Sequence, residues 1–243
     1  MPSITIKNNE KVIIKDSCTL ILSNNDINIE YNFKNGNYNV LIFADFNNEI
    51  NLKDFGEVIN SNVKINYLML DKTNLKQYSK VNVHKDSSLN INTTYLGVNK
   101  KDITFDLYNL ESDSLVEINN NIVCLDSADF SLECIGTIVK GAKRSKCHQK
   151  SHCLTMENPL KAKVLPVLNI DENDVEASHS LSSGTIDEEI LFYMNTRGLD
   201  SKEALSLILK SYLMPNENYY DEFIDGKIIS DKAITKVEEI CSM

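Results

Sequence analysis

Arginine is nearly absent. Of 25 basic residues only Arg144 and Arg197 carry a guanidinium, against 35 acidic residues and a net charge of −10. Binding to a phosphate backbone calls for a basic stripe, and none is visible, so nucleic acid and anionic membrane are poor candidates as partners. Long apolar runs are missing too, and nothing is long enough to span a bilayer. The start, MPSITIKNNEKVIIK, lacks the basic-then-apolar order of a signal peptide, so the expected compartment is the cytoplasm. No G-x-x-x-x-G-K-[ST] loop occurs, which argues against a nucleotide site on this chain. Tight Asn-Gly hairpin signals are scarce, the stretch Asn35 to Asn37 being the one clear candidate.

What is present is a chain of 243 residues, 42% apolar and 25% charged, enough for one or two domains with a real core. From Ser3 to about Asn169 it is a succession of short β patterns such as TLILS, INIEYN, YNVLIFA, VKINYLML and SLVEINNNIVCL. Of its 30 asparagines, 27 precede Leu181. Asparagine tolerates the left-handed conformation and satisfies turn backbone with its own amide, so the distribution marks a turn-rich β region. A sandwich, a barrel and a solenoid all produce such strands; the irregular corners and missing hairpin signals suit the solenoid.

After His179 the chemistry switches to helix. Thr185 and Glu188 have capping-box spacing, with Asp187, Glu188 and Glu189 at the favourable end of the helix dipole. Ile186, Ile190, Tyr193 and Met194 return at helical spacing, and Gly198 supplies a left-handed stop. A second helix is expected from the cap Asp200, with Glu203 three residues on, to Pro215. Weaker helical segments follow near Glu217 to Asp225 and Asp231 to Ile240.

Six cysteines (Cys18, Cys124, Cys134, Cys147, Cys153 and Cys241) sit in a chain with no secretion signal, so a disulfide framework is not expected. Cys124 and Cys134 read as small buried hydrophobes. The stretch RSKCHQKSHC, from Arg144 to Cys153, holds thiols and imidazoles that suit zinc or iron. On a strand, however, Cys147, Gln149, Ser151 and Cys153 point one way and His148 and His152 the other, so no closed four-ligand site follows from the spacing. His84 has no partner in the sequence.

The stretch ASHSLSSGTIDEEILFYMNTRGLDSKEA, with LTMENPLKAKVLPVLNIDENDVEASHS upstream, resembles the C-terminal signature of the SufB/SufD family of iron–sulfur cluster assembly scaffolds. A V-x-x-S-H element, acidic residues, LFY and an R-G turn fall in family order over roughly a quarter of the chain. The resemblance implies a right-handed parallel β-helix core over residues 1–180 and a small α-helical C-terminal domain over 181–243. It implies a non-enzymatic scaffold. Its helical domain, with Asp187, Glu188, Phe192, Tyr193 and Arg197, docks a SufC-type ABC ATPase. Its β-helix pairs with a second copy or with a SufB-type paralogue, and a transient iron–sulfur cluster forms at that junction. His179 falls at the SufD-type histidine. The SufB-type cysteine position falls at Ser151, with Cys153 and Cys147 the nearest thiols, so the candidate ligands are His179, Cys153 and Cys147. Serine is a poor iron ligand beside thiolate, which makes the chain more SufD-like than SufB-like. An interaction module that keeps the ATPase contact without ligating a cluster is the runner-up. A polysaccharide-acting solenoid enzyme would need clustered carboxylates with a basic residue, and no such convergent set is visible.

Overall fold

The structure is a computed structural model that describes residues 1–7, 11–44, 48–125, 127–156, 162–214, 220, 222–223 and 225–241. Odd-numbered strands form one sheet of eight: β1 (Ser3–Ile6), β3 (Cys18–Leu22), β5 (Asn37–Ala44), β7 (Asn62–Met69), β9 (Ser88–Gly97), β11 (Leu115–Cys124), β13 (Lys146–Thr155) and β15 (Glu176–Thr185). Even-numbered strands form a second sheet of seven: β2 (Lys11–Ile14), β4 (Asp26–Lys34), β6 (Ile50–Ile59), β8 (Leu75–Val83), β10 (Lys100–Asn109), β12 (Asp129–Ile138) and β14 (Ala162–Ile170). All thirteen pairings are parallel. The chain therefore crosses from sheet to sheet at every corner and coils as a β-solenoid. Asn35 and Gly36 form such a corner between strands of different sheets, so this stretch is not a hairpin.

The corners carry the repeat. Asn35, Asn60, Asp86, Asp113 and Arg144 all have positive φ, and the Asn60 amide donates to Asn35 Oδ1 at 2.9 Å. Ser61, Ser87, Ser114 and Ser145 follow the last four of these. Each is buried, and each accepts from the next coil through its backbone carbonyl. Small hydroxyl side chains fit the inside of a tight bend and satisfy its backbone groups, which orders the corners without proline.

Two burial patterns divide the strands. In the seven-stranded sheet, β4, β8, β10 and β12 alternate buried and partly exposed residues along their length, as a sheet with one solvated face must. In the eight-stranded sheet, β7, β9 and β11 begin with alternation, and these strands and β5 end in runs of buried residues. The reason is a second core. Outward-facing Phe43, Leu68, Leu96, Val123 and Leu154 lie under α2 (Ser201–Leu213) and α3 (Gly226–Cys241), which contribute Leu209, Leu213, Ile229, Ala233 and Val237. The helices thus pack on the solenoid wall through a shared core. The Lys236 ammonium of α3 adds an ion pair with Asp71, and buried Lys101 donates to the Asp71 carbonyl at 2.9 Å.

The strand-to-helix change falls later than the expected boundary at 180/181, because β15 continues to Thr185 and α1 runs over Glu188–Thr196. Its cap is Asp187, whose carboxylate accepts from Glu189 N at 2.8 Å, and not Thr185, which is still in strand. Asp200 does form the capping box with Glu203, and Gly198 has φ +93°. Pro215 and most of the Glu217 to Asp225 stretch lie outside the described residues, and the last helix begins at Gly226 instead of near Asp231. No described helix is long and apolar enough to cross a membrane.

Inside the lumen the first polar cluster surrounds Asp54. Tyr31 from β4, Tyr67 from β7 and Ser79 from β8 all donate to its carboxylate. Gly56 leaves room for the Tyr31 ring, which a Cβ there would approach to 3.0 Å. Complete burial raises the Asp54 pKa to about 6, against the partial relief of three hydroxyl donors. The folded state therefore holds this proton more tightly than the unfolded chain. That contribution is fully present below about pH 4 and is lost as pH rises through about 6, with a size on the order of 3 kcal/mol. Urea unfolding of the wild type and Asp54→Asn between pH 4 and 7.5 should show the wild type losing stability relative to the variant as pH rises. A constant difference across that range contradicts the assignment.

Candidate functional site at the open end of the solenoid

The segment KCHQKSHCLT folds as β13 with strict alternation. Cys147, Gln149, Ser151 and Cys153 face the lumen and are buried. His148 and His152 face outward, and their Nδ1 atoms meet the Ser178 and Ser182 hydroxyls at 2.8 and 2.6 Å. The strand β15 lies on β13 in parallel register, with Ala177 opposite Cys147, His179 opposite Gln149, Leu181 opposite Ser151 and Ser183 opposite Cys153. Register partners share a face of a sheet. The lumen rows therefore continue into Ala177, His179, Leu181 and Ser183. Among the described residues no strand follows them: β15 is the last strand of its sheet, and all ten of its residues are exposed. In the other sheet the last strand, β14, leaves Ile170, the register partner of inward Ile138, exposed, while Val164 and Leu168 of the same row are partly buried. His179 stands at the mouth of an uncapped tube.

This register decides which expected ligands come together. Cys147 and Cys153 are six positions apart on one strand, roughly 20 Å. From His179, Cys147 is one rung down and two positions along, about 8 Å between Cα atoms, whereas Cys153 is four positions along, about 14 Å. Among the described residues no three His, Cys, Asp or Glu side chains converge as a metal-binding group. Within one chain, then, Cys147 is the thiol beside His179, Ser151 lies between the two thiols, and Cys153 belongs to a different neighbourhood.

Each thiol has its own environment. Burial pushes Cys147 up to about 12, and burial likewise takes Cys134 to about 12. Both are neutral near pH 7, so a soft metal arriving there has to displace a proton. Cys153 sits at the other end of β13 in thiol–thiol hydrogen-bond contact with Cys124. That contact and burial raise Cys124, while Cys153 is lowered as acceptor from Cys124 and Ser183. Cys153 also forms part of a small cavity of about 190 Å³ with Ser182, Ser183, Thr185 and Tyr212 of α2. Cys18, Cys124, Cys134, Cys147 and Cys153 are all free and buried; the Cys241 side chain is outside the described residues.

The polar layer beneath the mouth includes residues that spacing alone did not single out. Asn120 of β11 accepts from Thr93 at 2.7 Å and donates to Ser151 Oγ at 3.0 Å and to Cys134 Sγ at 3.5 Å. Gln149 donates from Nε2 to the Val167 carbonyl of β14 at 3.0 Å. Gly136 of β12 provides the space, since a Cβ there would sit 2.5 Å from Cys147 Sγ and 2.8 Å from Gln149 Nε2. Gln149 shares the inward parity of Cys147 and Ser151, and that parity was the signal for it. Farther from the mouth His84 does have partners, in Glu57 at 2.7 Å and Glu111 at 3.5 Å, brought together by coil stacking.

The expected docking residues lie on α1, a helix with no buried residue. Phe192 is 70% exposed and Tyr193 57% exposed, beside exposed Ile190. Arg197 lies over the Tyr193 ring, 5.2 Å from its centroid, and bonds its hydroxyl at 3.1 Å. Asp187 is occupied as the cap, and Glu188 lies exposed in the first turn.

Fold and site define a β-solenoid with an uncovered end, internal thiols and amides below that end, and a helical appendage on its wall. The family described as "SUF system FeS cluster assembly, SufBD core domain" matches residues 47–212, and the chain belongs to this SufB/SufD family. It is 35% identical over 96 residues to the iron–sulfur cluster assembly protein SufD of Bacillus subtilis, covering 40% of this chain and 22% of that protein. It is also 35% identical over 80 residues to a SufBD family iron–sulfur cluster assembly protein of Pyrococcus horikoshii, covering 33% of this chain and 18% of that one. The chain spans about a fifth of the length of these curated relatives.

Asn120 ties three strands below the mouth. Its replacement by alanine leaves the Thr93 and Ser151 hydroxyls without their shared partner and opens a void, so Asn120→Ala should cost about 3 kcal/mol in urea unfolding. A change below about 0.5 kcal/mol, the level of an ordinary surface substitution, contradicts this role.

Proposed function

We propose that this chain is a scaffold subunit of a SUF-type iron–sulfur cluster assembly complex. It pairs through the open end of the solenoid with a second copy or a SufB-type paralogue, and α1 with its neighbours binds a SufC-type ABC ATPase. The nascent cluster is cargo, held transiently at the junction by His179 and Cys147, with Ser151 and Cys153 in the same inward row. The observation that carries this reading is the fully exposed β15, whose inward row offers His179 and Leu181 to whatever covers the mouth. A bare strand edge and a row of lumen side chains without a lid favour addition of another sheet. Leu181, 44% exposed, gives that contact an apolar centre, and neutral imidazole is a suitable iron ligand.

A second reading keeps the pairing and the ATPase contact but assigns no cluster ligand to this chain. Ser151 at the SufB-type cysteine position favours it, as do the raised thiol pKa values.

Three measurements test the proposal. Sedimentation should show wild-type chain, alone or with a SufB-type paralogue, as a dimer that Leu181→Lys disperses; an unaltered dimer removes the open end as the pairing surface. Co-purification with the SufC-type ATPase should fail for Phe192→Ala/Tyr193→Ala at unchanged thermal stability, these side chains being too exposed to support the core. Retention of the ATPase contradicts docking through α1. Anaerobic reconstitution with iron and sulfide should give a charge-transfer absorption that His179→Ala and Cys147→Ser each weaken severalfold. Absorption that survives both changes removes the ligand assignment, and absence of any absorption in the intact complex selects the second reading.

A further inference from the structure

We infer that Gln149 is the positioning residue for His179: its buried carbonyl oxygen takes one ring N–H of the imidazole and leaves the other ring nitrogen directed out of the open end. The inference rests on the scaffold reading only for the use made of that second nitrogen.

The argument begins with an unmet bond. Gln149 is 3% exposed, and its Oε1 is buried without a hydrogen-bond partner among the described residues. The orientation of the amide is fixed by chemistry. The Val167 carbonyl 3.0 Å away only accepts, so the NH₂ group must face it and the carbonyl oxygen must face elsewhere. Buried amide oxygens are nearly always paired, and one that is not asks for a donor close by.

The fold supplies one. His179 is the register partner of Gln149 on the adjacent parallel strand and faces the same side, one rung of about 4.8 Å nearer the mouth. Its ring is exposed and turns about two side-chain bonds without moving the backbone. The other inward neighbours on β15, Ala177 and Leu181, carry no donor in their side chains. Gly136 completes the arrangement, because any side chain there would push the Gln149 amide out of place. A neutral imidazole that donates from one nitrogen presents a lone pair on the other, and the partner of the first nitrogen chooses the tautomer. Gln149 thus acts on whatever reaches the mouth through His179, without touching it.

The test is the ring tautomer of His179, read by nitrogen-15 NMR on the full chain at a pH where imidazole is neutral, with His179→Asn to assign the signals. Wild type should hold one tautomer over the other by at least about fivefold, the bias that one net hydrogen bond supplies. Gln149→Met, which keeps length and removes the acceptor, should bring the two ring nitrogens toward equal character. Gln149→Glu, which keeps an acceptor, should restore the bias. Gly136→Ala should reduce it by displacing the amide, and serves in place of Gln149→Met if that variant does not fold. An unbiased ring in the wild type, or a bias unchanged in Gln149→Met or Gly136→Ala, overturns the inference. The readout needs neither cluster nor ATPase, so it stands or falls apart from the reconstitution and co-purification experiments.

Discussion

Each coil of a parallel solenoid is covered by the next, and that single dependence organises this protein. Inward rows at Phe105, Ile118 and Leu132 are fully buried because a further coil lies above them. The same pattern continued into β15 yields Ala177, His179, Leu181 and Ser183, of which none is buried. The strand pairing with β13 continues through this row, and among the described residues no strand covers it. An uncovered rung leaves both its apolar side chains and its backbone edge unsatisfied, and the cost is met when another surface lies on it. The site is therefore a consequence of where the stack stops, and its residues are those that would otherwise be lumen.

The lumen itself is only partly hydrophobic. Asp54 with its three hydroxyl donors, Gln77 bonded to Ser79 and Tyr95, and Asn120 bonded to Thr93 and Ser151 succeed one another toward the mouth. Buried polar groups are tolerable only when paired, and these pairings fix the registration of neighbouring coils more narrowly than methyl packing does. The neutral thiol of Cys134 lies in this series as a weak partner of Asn120. Gln149 is its final member, with an acceptor left over and an exposed rung above it.

Much of this was legible in the residues, and the misses have physical causes. Alternation in KCHQKSHC correctly assigned inward and outward side chains, because a period of two survives any sheet topology. The choice among sandwich, barrel and solenoid was not legible from strands alone, since pairing direction leaves no mark on a single strand. Stronger traces lay in the corners, where a residue tolerant of positive φ precedes a buried serine at Asn60–Ser61, Asp86–Ser87 and Asp113–Ser114. Asparagine content pointed to those corners, but Asn35–Gly36 has the same local chemistry as a hairpin turn and differs only in what it connects. Thr185 offered the better capping spacing on paper; the strand pairing of β15 with β13 holds it extended, and Asp187 takes the cap. The distance from His179 to each cysteine depended on an offset of 30 residues between β13 and β15, which no local pattern contains.

The helical segment is joined to this end of the molecule by more than covalent continuity. At the close of β13, Cys153 and Thr155 point into the lumen while Leu154 between them points into the core shared with α2 and α3. Val123 and Cys124 divide in the same way on β11. One short stretch of backbone thus has the thiol pair on one face and the helices on the other. Parallel strands bonded on both edges resist bending, and close-packed cores move by discrete repacking in place of gradual deformation. The packing of α2 and α3 on Val123 and Leu154 is therefore backed by the thiol pair on the opposite face of the same two strands.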